Sequence, residues 1–343
     1  HIDNQFVYPG EHKYDGILTE VDLTQEVLVA EPTVEALVHR AREAIAGPMP
    51  NVAVGAHCSK PYECQFLKFC WPTESEYPIA GLGGSKAKLG EYVASGYTDI
   101  RDVPASRITA ETQTRIHRVT LRGEAEILSG AREALAKLAY PRYYLDFETI
   151  APAVPFWPGT HPYAAVPVQW SCHIDDGEGD GSYTTMRHEE FLDLSGDPPM
   201  RPLADCLIRC LGTSGPVIMY TRYEERVIIG LAEMFPDLAE ALLSITHRLF
   251  DLHPVVKANY YHPRMLGSWS IKAVLPTVAA DLDYASLDGI KEGTGASDGY
   301  IEAISPTVTP DRKAQLEAQL LRYCRFDTEA MAEIVRAFSL VEG

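Results

Sequence analysis

No stretch of the 343-residue chain comes near the roughly 18 consecutive apolar residues of a membrane-spanning helix. No charged-then-apolar leader with a small-residue cleavage site opens it either. Positive charge is scarce: 30 Lys and Arg stand against 48 Asp and Glu, a formal net charge of −18 at pH 7. The basic footprint that usually marks nucleic-acid binding is therefore missing in bulk. Any phosphate-binding surface has to be a local basic patch, or metal ions have to supply the positive charge. Seven cysteines, an odd number, count against a secreted disulfide framework. Internal repeats and low-complexity runs are missing as well. These absences lead to the expectation of a cytoplasmic protein with no membrane partner.

What is present is a globular composition, 46% hydrophobic, in a chain long enough for two domains. "TVEALVHRAREAIAG" (33–47) has apolar residues at helical spacing and stops at Gly47 and Pro48. Three further helical stretches follow before residue 140, the last of them "EAEILSGAREALAKLAYP" with Ile127, Leu128, Ala131, Leu135 and Leu138 on one face. From there the texture changes. "RYYLDFETI", "AVPVQWSCHI" and "GSYTTMRHE" read as three strands, the last two separated by the turn "DDGEGDG". Helix "PLADCLIRCLG", strand "PVIMYT" and helix "EERVIIGLAEMFP" alternate after them, and the chain closes on one or two long amphipathic helices. The fold class expected is α/β, with a mixed β-sheet flanked by helices over 139–343, a helical connector over 76–138, and a mainly helical N-terminal region carrying a cysteine cluster over 1–75.

Two carboxylates interrupt the apolar strand "YYLDFETI". Residues i and i+2 of a strand share a face, so Asp146 and Glu148 project side by side, with Tyr144 beside them and Leu145 and Phe147 opposite. Adjacent carboxylates repel unless a cation lies between them, and hard divalent cations take oxygen ligands; a solvated strand end is the plain alternative. Near the other end, "YCRFD" sets Tyr323 and Asp327 four residues apart on a helix, hence on one face, although a packed Tyr near a capping Asp would look the same.

D-F-E-T on a first strand with Y-x-x-x-D on a late helix resembles the DEDD 3′–5′ exonucleases of the ribonuclease H-like fold, and more narrowly their tyrosine subclass. The first motif is matched by Asp146 and Glu148, the last by Tyr323 and Asp327. The middle acid, usually an Asp after a short strand, falls in "MYTRYEERVI", where Glu224 takes its place and Glu225 is a rival one residue on. As structural residues, both glutamates would simply favour a helix N-terminus. The resemblance implies a ribonuclease H-like sheet and two Mg²⁺ or Mn²⁺ ions held by Asp146, Glu148, Glu224 and Asp327, with Tyr323 orienting the attacking water. It implies a 3′–5′ exonuclease whose partner is the 3′ end of DNA or RNA. The alternative is a catalytically degenerate module that binds nucleic acid or a partner without cutting, suggested by the glutamate at the middle position and by the net charge.

"HCSKPYECQFLKFCWP" places Cys58, Cys64 and Cys70 within 13 residues, a spacing that suits an iron–sulfur cluster or Zn²⁺ but lacks a fourth cysteine; reduced free thiols are the other reading. It is similar to the cysteine triplet of RecB-like iron–sulfur nucleases, so residues 1–75 are expected to be the tail of such a region. Its lone E-x-K, Glu11 and Lys13, has no upstream acid. A family joining a RecB-like region to a DEDD domain shares "PYEC", "CWP", "YYLDFET", "PVQWSCHI" and "GSWSIKAVLP". Lys272 is a candidate phosphate contact and Asp251 a helix cap. Trp170, His173 and Trp269 are candidates for base stacking, with core packing the default for each Trp.

Overall fold

The computed structural model describes residues 1–340; residues 341–343, the end of the expected 139–343 domain, lie outside the described residues. In chain order the strands are β1 (Glu126–Ile127), β2 (Arg142–Ile150), β3 (Val166–Asp175), β4 (Arg187–Leu192), β5 (Val217–Met219), β6 (Leu249–Asp251) and β7 (Tyr260–Tyr261). Five of them form one sheet in the order β4-β3-β2-β5-β6, while β1 and β7 make a separate two-stranded ribbon. β3 runs antiparallel to β2 and β4, whereas β5 and β6 run parallel to β2. The result is the expected mixed sheet flanked by helices.

Two faces of β2 feed two cores. Leu145 and Phe147 pack with Leu203 and Leu207 of the Met200–Leu211 helix and Ile228 of the Tyr223–Met234 helix. Tyr144, on the other face, packs with Ile218, Met331 and Ile334, and the same cluster takes in Trp71, Leu82, Tyr92 and Val119 from upstream of the sheet. Every residue of β3 is buried, as a central strand covered on both faces requires.

The final helix runs unbroken from Pro310 to Ser339 across β2 and β3. Its start is written locally: Thr309 Oγ1 accepts from the Arg312 amide at 3.3 Å, and Pro310 occupies the first turn, where its missing N–H costs nothing. From Tyr323 to Val335 nearly every side chain is buried, so this helix is enclosed and not merely amphipathic.

Some local expectations are corrected. The stretch 124–141 is not one helix. Only Gly130–Leu135 is helical; Glu126 and Ile127 pair instead with Tyr261 and Tyr260, and Leu128, expected inside, is exposed. "GSYTTMRHE" holds a 3₁₀ turn at Tyr183–Thr185, begun by the Ser182 hydroxyl, and the strand starts only at Arg187. The helix near residue 33 begins earlier, at Thr24, and runs through Pro32 to Ala46 with no buried side chain. β6 was not anticipated: three residues are too few to show a period. Among the described residues no helix is long and apolar enough to cross a membrane.

Candidate functional site

Alternation along β2 turns Asp146 and Glu148 toward the final helix, away from Leu145 and Phe147. The register pairs Asp146 with Ser171 and Glu148 with Gln169, and slips between Glu148 and Thr149; such irregularities re-aim side chains at strand ends. Gln169 in turn donates to the Leu320 carbonyl at 3.0 Å, anchoring the final helix to β3 one turn before Tyr323. That anchoring sets Cys324 directly over Asp146, its thiol 3.6 Å from Oδ2 and 3.8 Å from the carbonyl oxygen. One carboxylate oxygen each from Asp146 and Glu148 and the Cys324 sulfur lie within 4.8 Å of one another.

Asp327, one turn beyond Tyr323, is 7% exposed and accepts a short hydrogen bond from the Tyr284 hydroxyl. Glu224 comes from the first turn of the Tyr223–Met234 helix, whose start is tied to β2 by the bond between the Tyr223 and Thr149 hydroxyls. It is 5% exposed, and its Oε2 is buried without a hydrogen-bond partner. Glu225, by contrast, pairs with the exposed Arg222 through contacts of 2.8 and 3.1 Å. Of the two adjacent glutamates, only Glu224 is buried and acts electrostatically with Asp146 and Asp327.

The electrostatics follow from that crowding. Burial pushes Asp146 and Glu148 well above the usual carboxylate range, and the charge of Asp327 adds to both. Burial raises Glu224 to about 8, with further pressure from Asp251 and Asp327. Asp327 is raised only to about 6, because the Tyr284 hydrogen bond and the Lys272 charge relieve its burial. Burial and the Asp327 charge also raise the Tyr323 phenol, which stays protonated and makes no hydrogen bond among the described residues. Lys272 lies 5.3 Å from the Tyr323 ring and 5.0 Å from the Tyr284 ring, its ammonium donating to the Lys291 carbonyl at 2.7 Å.

All four carboxylates are raised, so the group favours protons or a cation, although Asp327 and Glu224, both buried, lie outside the close set formed by Asp146, Glu148 and Cys324. Glu224 Oε2 lacks a donor, and Asp146, Glu148 and Cys324 present oxygen and sulfur ligands within a few ångströms. That donor set fits a divalent cation. Tyr284 and Cys324 are site residues that no sequence motif marks. Asp251 caps the Leu252–Asn259 helix, accepting from the His253 amide at 3.1 Å, and also faces Glu224 electrostatically.

Other candidates stand elsewhere. Trp170 donates to the Leu203 carbonyl inside the first core, and His173 bonds Thr328 at 2.8 Å, so both are interior groups. Trp269 donates to the Tyr260 carbonyl at 2.8 Å. Glu11 and Lys13 form an exposed ion pair. Cys58 is buried, Cys64 half-buried and Cys70 exposed, all as free thiols, and their sulfurs do not gather as a three-ligand set within 4.8 Å.

The chain is 24% identical over 213 residues to a Mycoplasma pneumoniae (strain ATCC 29342 / M129 / Subtype 1) protein named "Uncharacterized protein MG366 homolog", an overlap of 58% of this chain. It spans only 32% of that relative's length. No solved structure matches. Residues 143–270, which carry Asp146, Glu148 and Glu224 but end before Tyr323 and Asp327, match the family described as a domain of unknown function, DUF2779.

Proposed function

We propose that the chain is a divalent-metal-dependent phosphodiesterase of the 3′–5′ exonuclease type, acting on DNA or RNA ends. What supports this reading is the Asp146–Glu148 pair of β2, one carboxylate oxygen from each lying within 4.8 Å of the other and of the Cys324 sulfur, together with the buried Asp327 and Glu224, whose charges also act on Asp146, and the Tyr323 phenol on the helix that carries Asp327. A surface acidic patch would be solvated and would show no such elevation of its carboxylates.

Divalent cations bound by these acids would supply Lewis-acid polarisation of a phosphoryl oxygen and a water that is nucleophilic at neutral pH. Asp146, Glu148 and Asp327 would hold such ions, and Glu224 would add its unpartnered Oε2. Tyr323, protonated, donates to the attacking water and orients it. Lys272, beside the same ring, offsets charge on the phosphate. Tyr284 holds Asp327 in place.

The second reading, a domain that binds nucleic acid or a partner without cutting, draws on the glutamate at the middle position and the net charge of −18. End-labelled single- and double-stranded DNA and RNA, incubated with Mg²⁺ or Mn²⁺ beside Asp146→Ala, separates the two. A 3′-to-5′ ladder that disappears in the variant supports the enzyme. Binding that survives EDTA, with no turnover under either metal, supports the binding module.

A further inference from the structure

A concavity whose lining includes none of the four acids lies where the Glu111–Arg122 helix meets β1 and the Leu252–Asn259 helix. It is a cleft of about 600 Å³ whose lining includes Arg115, Arg118, Lys257, Trp269, Glu111 and Glu126. Three cations against two carboxylates is a local reversal of sign in a chain of net charge −18.

The arrangement of these charges is built, not incidental. Glu126, 8% exposed, has both oxygens engaged: Oε1 by Arg115 Nε at 2.6 Å and Oε2 by Arg118 Nη2 at 2.5 Å. The two guanidiniums hold its carboxyl below the usual range against its burial. Arg115 is fixed a second time, Nη1 donating to the Lys257 carbonyl at 2.5 Å, and its Nη2 is buried with no acceptor. Glu126 therefore acts as a bracket for two guanidinium groups, and Lys257 is left with no ion pair among the described residues. Its ammonium stands 5.8 Å from the centre of the Trp269 ring, which the bond to Tyr260 holds rigid. Trp269, 7% exposed and packed against Tyr261, forms the floor of the cleft, and the exposed Arg118 and Lys257 at its rim are cations of the kind that contact phosphates.

We propose that this cleft is an accessory site for single-stranded nucleic acid, with phosphates on the exposed Arg118 and Lys257. The proposal rests on the phosphodiesterase reading for its purpose, since it gives an acidic protein a place to hold its substrate that none of the four acids lines. The two sites share a connection: Trp269 lies three residues before Lys272, and its carbonyl accepts from the hydroxyl of Tyr220, four residues before Glu224, at 2.8 Å. The helical segment upstream of the sheet thereby gains a role in substrate binding.

The test is fluorescence anisotropy of a labelled 12-nucleotide oligothymidylate in EDTA over a range of salt, so that no cleavage is involved. The double variant Arg118→Glu/Lys257→Glu is compared with the wild type and with a matched charge change elsewhere, Arg201→Glu/Arg312→Glu. The cleft variant should bind at least about tenfold more weakly, with a log–log salt slope shallower by about 1.4, the loss of two phosphate contacts on a single strand. The matched variant should bind as the wild type does. Equal weakening in both doubles, unchanged binding in the cleft variant, or a wild type that does not bind the oligomer would each overturn the proposal. Asp146→Ala separates the two readings: wild-type binding in that variant supports the cleft, while a lack of hydrolysis by the wild type in Mn²⁺ counts against the acid cluster alone. Thermal melting of the cleft variant verifies that it is folded.

Discussion

The hydroxyl of Tyr284 donates to Oδ1 of Asp327, joining the 3₁₀ turn at Tyr284–Ser286 to the middle of the final helix. The bond holds down the Asp327 carboxyl, which burial would otherwise carry higher than about 6. Tyr284→Phe removes the donor and leaves the ring stacked edge-on against Phe326, so the core stays filled. Hydrogen bonds to charged groups contribute about 1.5–3 kcal/mol, and activity should fall roughly ten- to a hundredfold. The acid limb of the pH–rate profile should move upward, because Asp327 then ionises at higher pH. An unchanged limb would separate Tyr284 from the site.

The raised carboxylates make a statement about stability. Asp327 stands at about 6 against an ordinary 3.8, and Glu224 at about 8 against 4.5. Between those limits the folded protein binds more protons than the unfolded chain, so this contribution is present at low pH and is lost as pH rises from about 4 to about 8. His173, pushed to about 3, and His188, to about 4, work in the opposite sense: their contribution is present above about 6.5 and lost on acidification. The difference between Glu224→Gln and wild type isolates the carboxylate. In EDTA the variant should melt a few degrees higher at pH 8, and the gap should close near pH 4.5. A variant less stable at pH 8 would mean that Glu224 carries no uncompensated charge.

Glu225 supplies the contrast. Its pair with Arg222 is a surface contact, and exposed ion pairs contribute roughly 0–1 kcal/mol. Glu225→Ala should leave hydrolysis and melting temperature nearly unchanged, whereas Glu224→Ala should abolish hydrolysis. Parallel assays of the two single variants check this, and equal losses would reverse the assignment of the middle acid.

Phe338 tests how the upstream segment is joined to the sheet. It is fully buried in the cluster that holds Trp71, Leu82 and Tyr144, and lies 5.2 Å from Tyr260. Phe338→Ala should cost about 3–5 kcal/mol. Urea denaturation should show one transition moved to lower concentration. Splitting into two transitions would mean that the upstream segment unfolds independently.

The legible part of the site was the part governed by short periods. Asp146 and Glu148 share a face because a strand repeats every two residues, and Tyr323 and Asp327 because a helix nearly repeats every four. Motif position favours Glu224 over Glu225, but their burial is not legible in sequence, since one residue of helix phase separates a buried carboxylate from a more solvated one. Tyr284 arrives from "DLDYASLDG", a segment without periodicity, and only the tertiary fold carries it to Asp327. Cys324 sits one residue from Tyr323, yet its approach to Asp146 depends on how the helix crosses β2. The ribbon of β1 and β7 was missed for the same reason: Glu126 is drawn out of a helical pattern by Arg115 and Arg118.

The central claim is that the four acids form a divalent-cation site, and calorimetric titration of the metal-free protein with Mn²⁺ at pH 8 tests it most directly. The account predicts saturable binding that is lost in Asp146→Ala, weakened in Glu224→Gln, and diminished in the wild type at pH 5, where protons compete for the same oxygens. Mn²⁺ binding of equal strength in wild type and Asp146→Ala would contradict it.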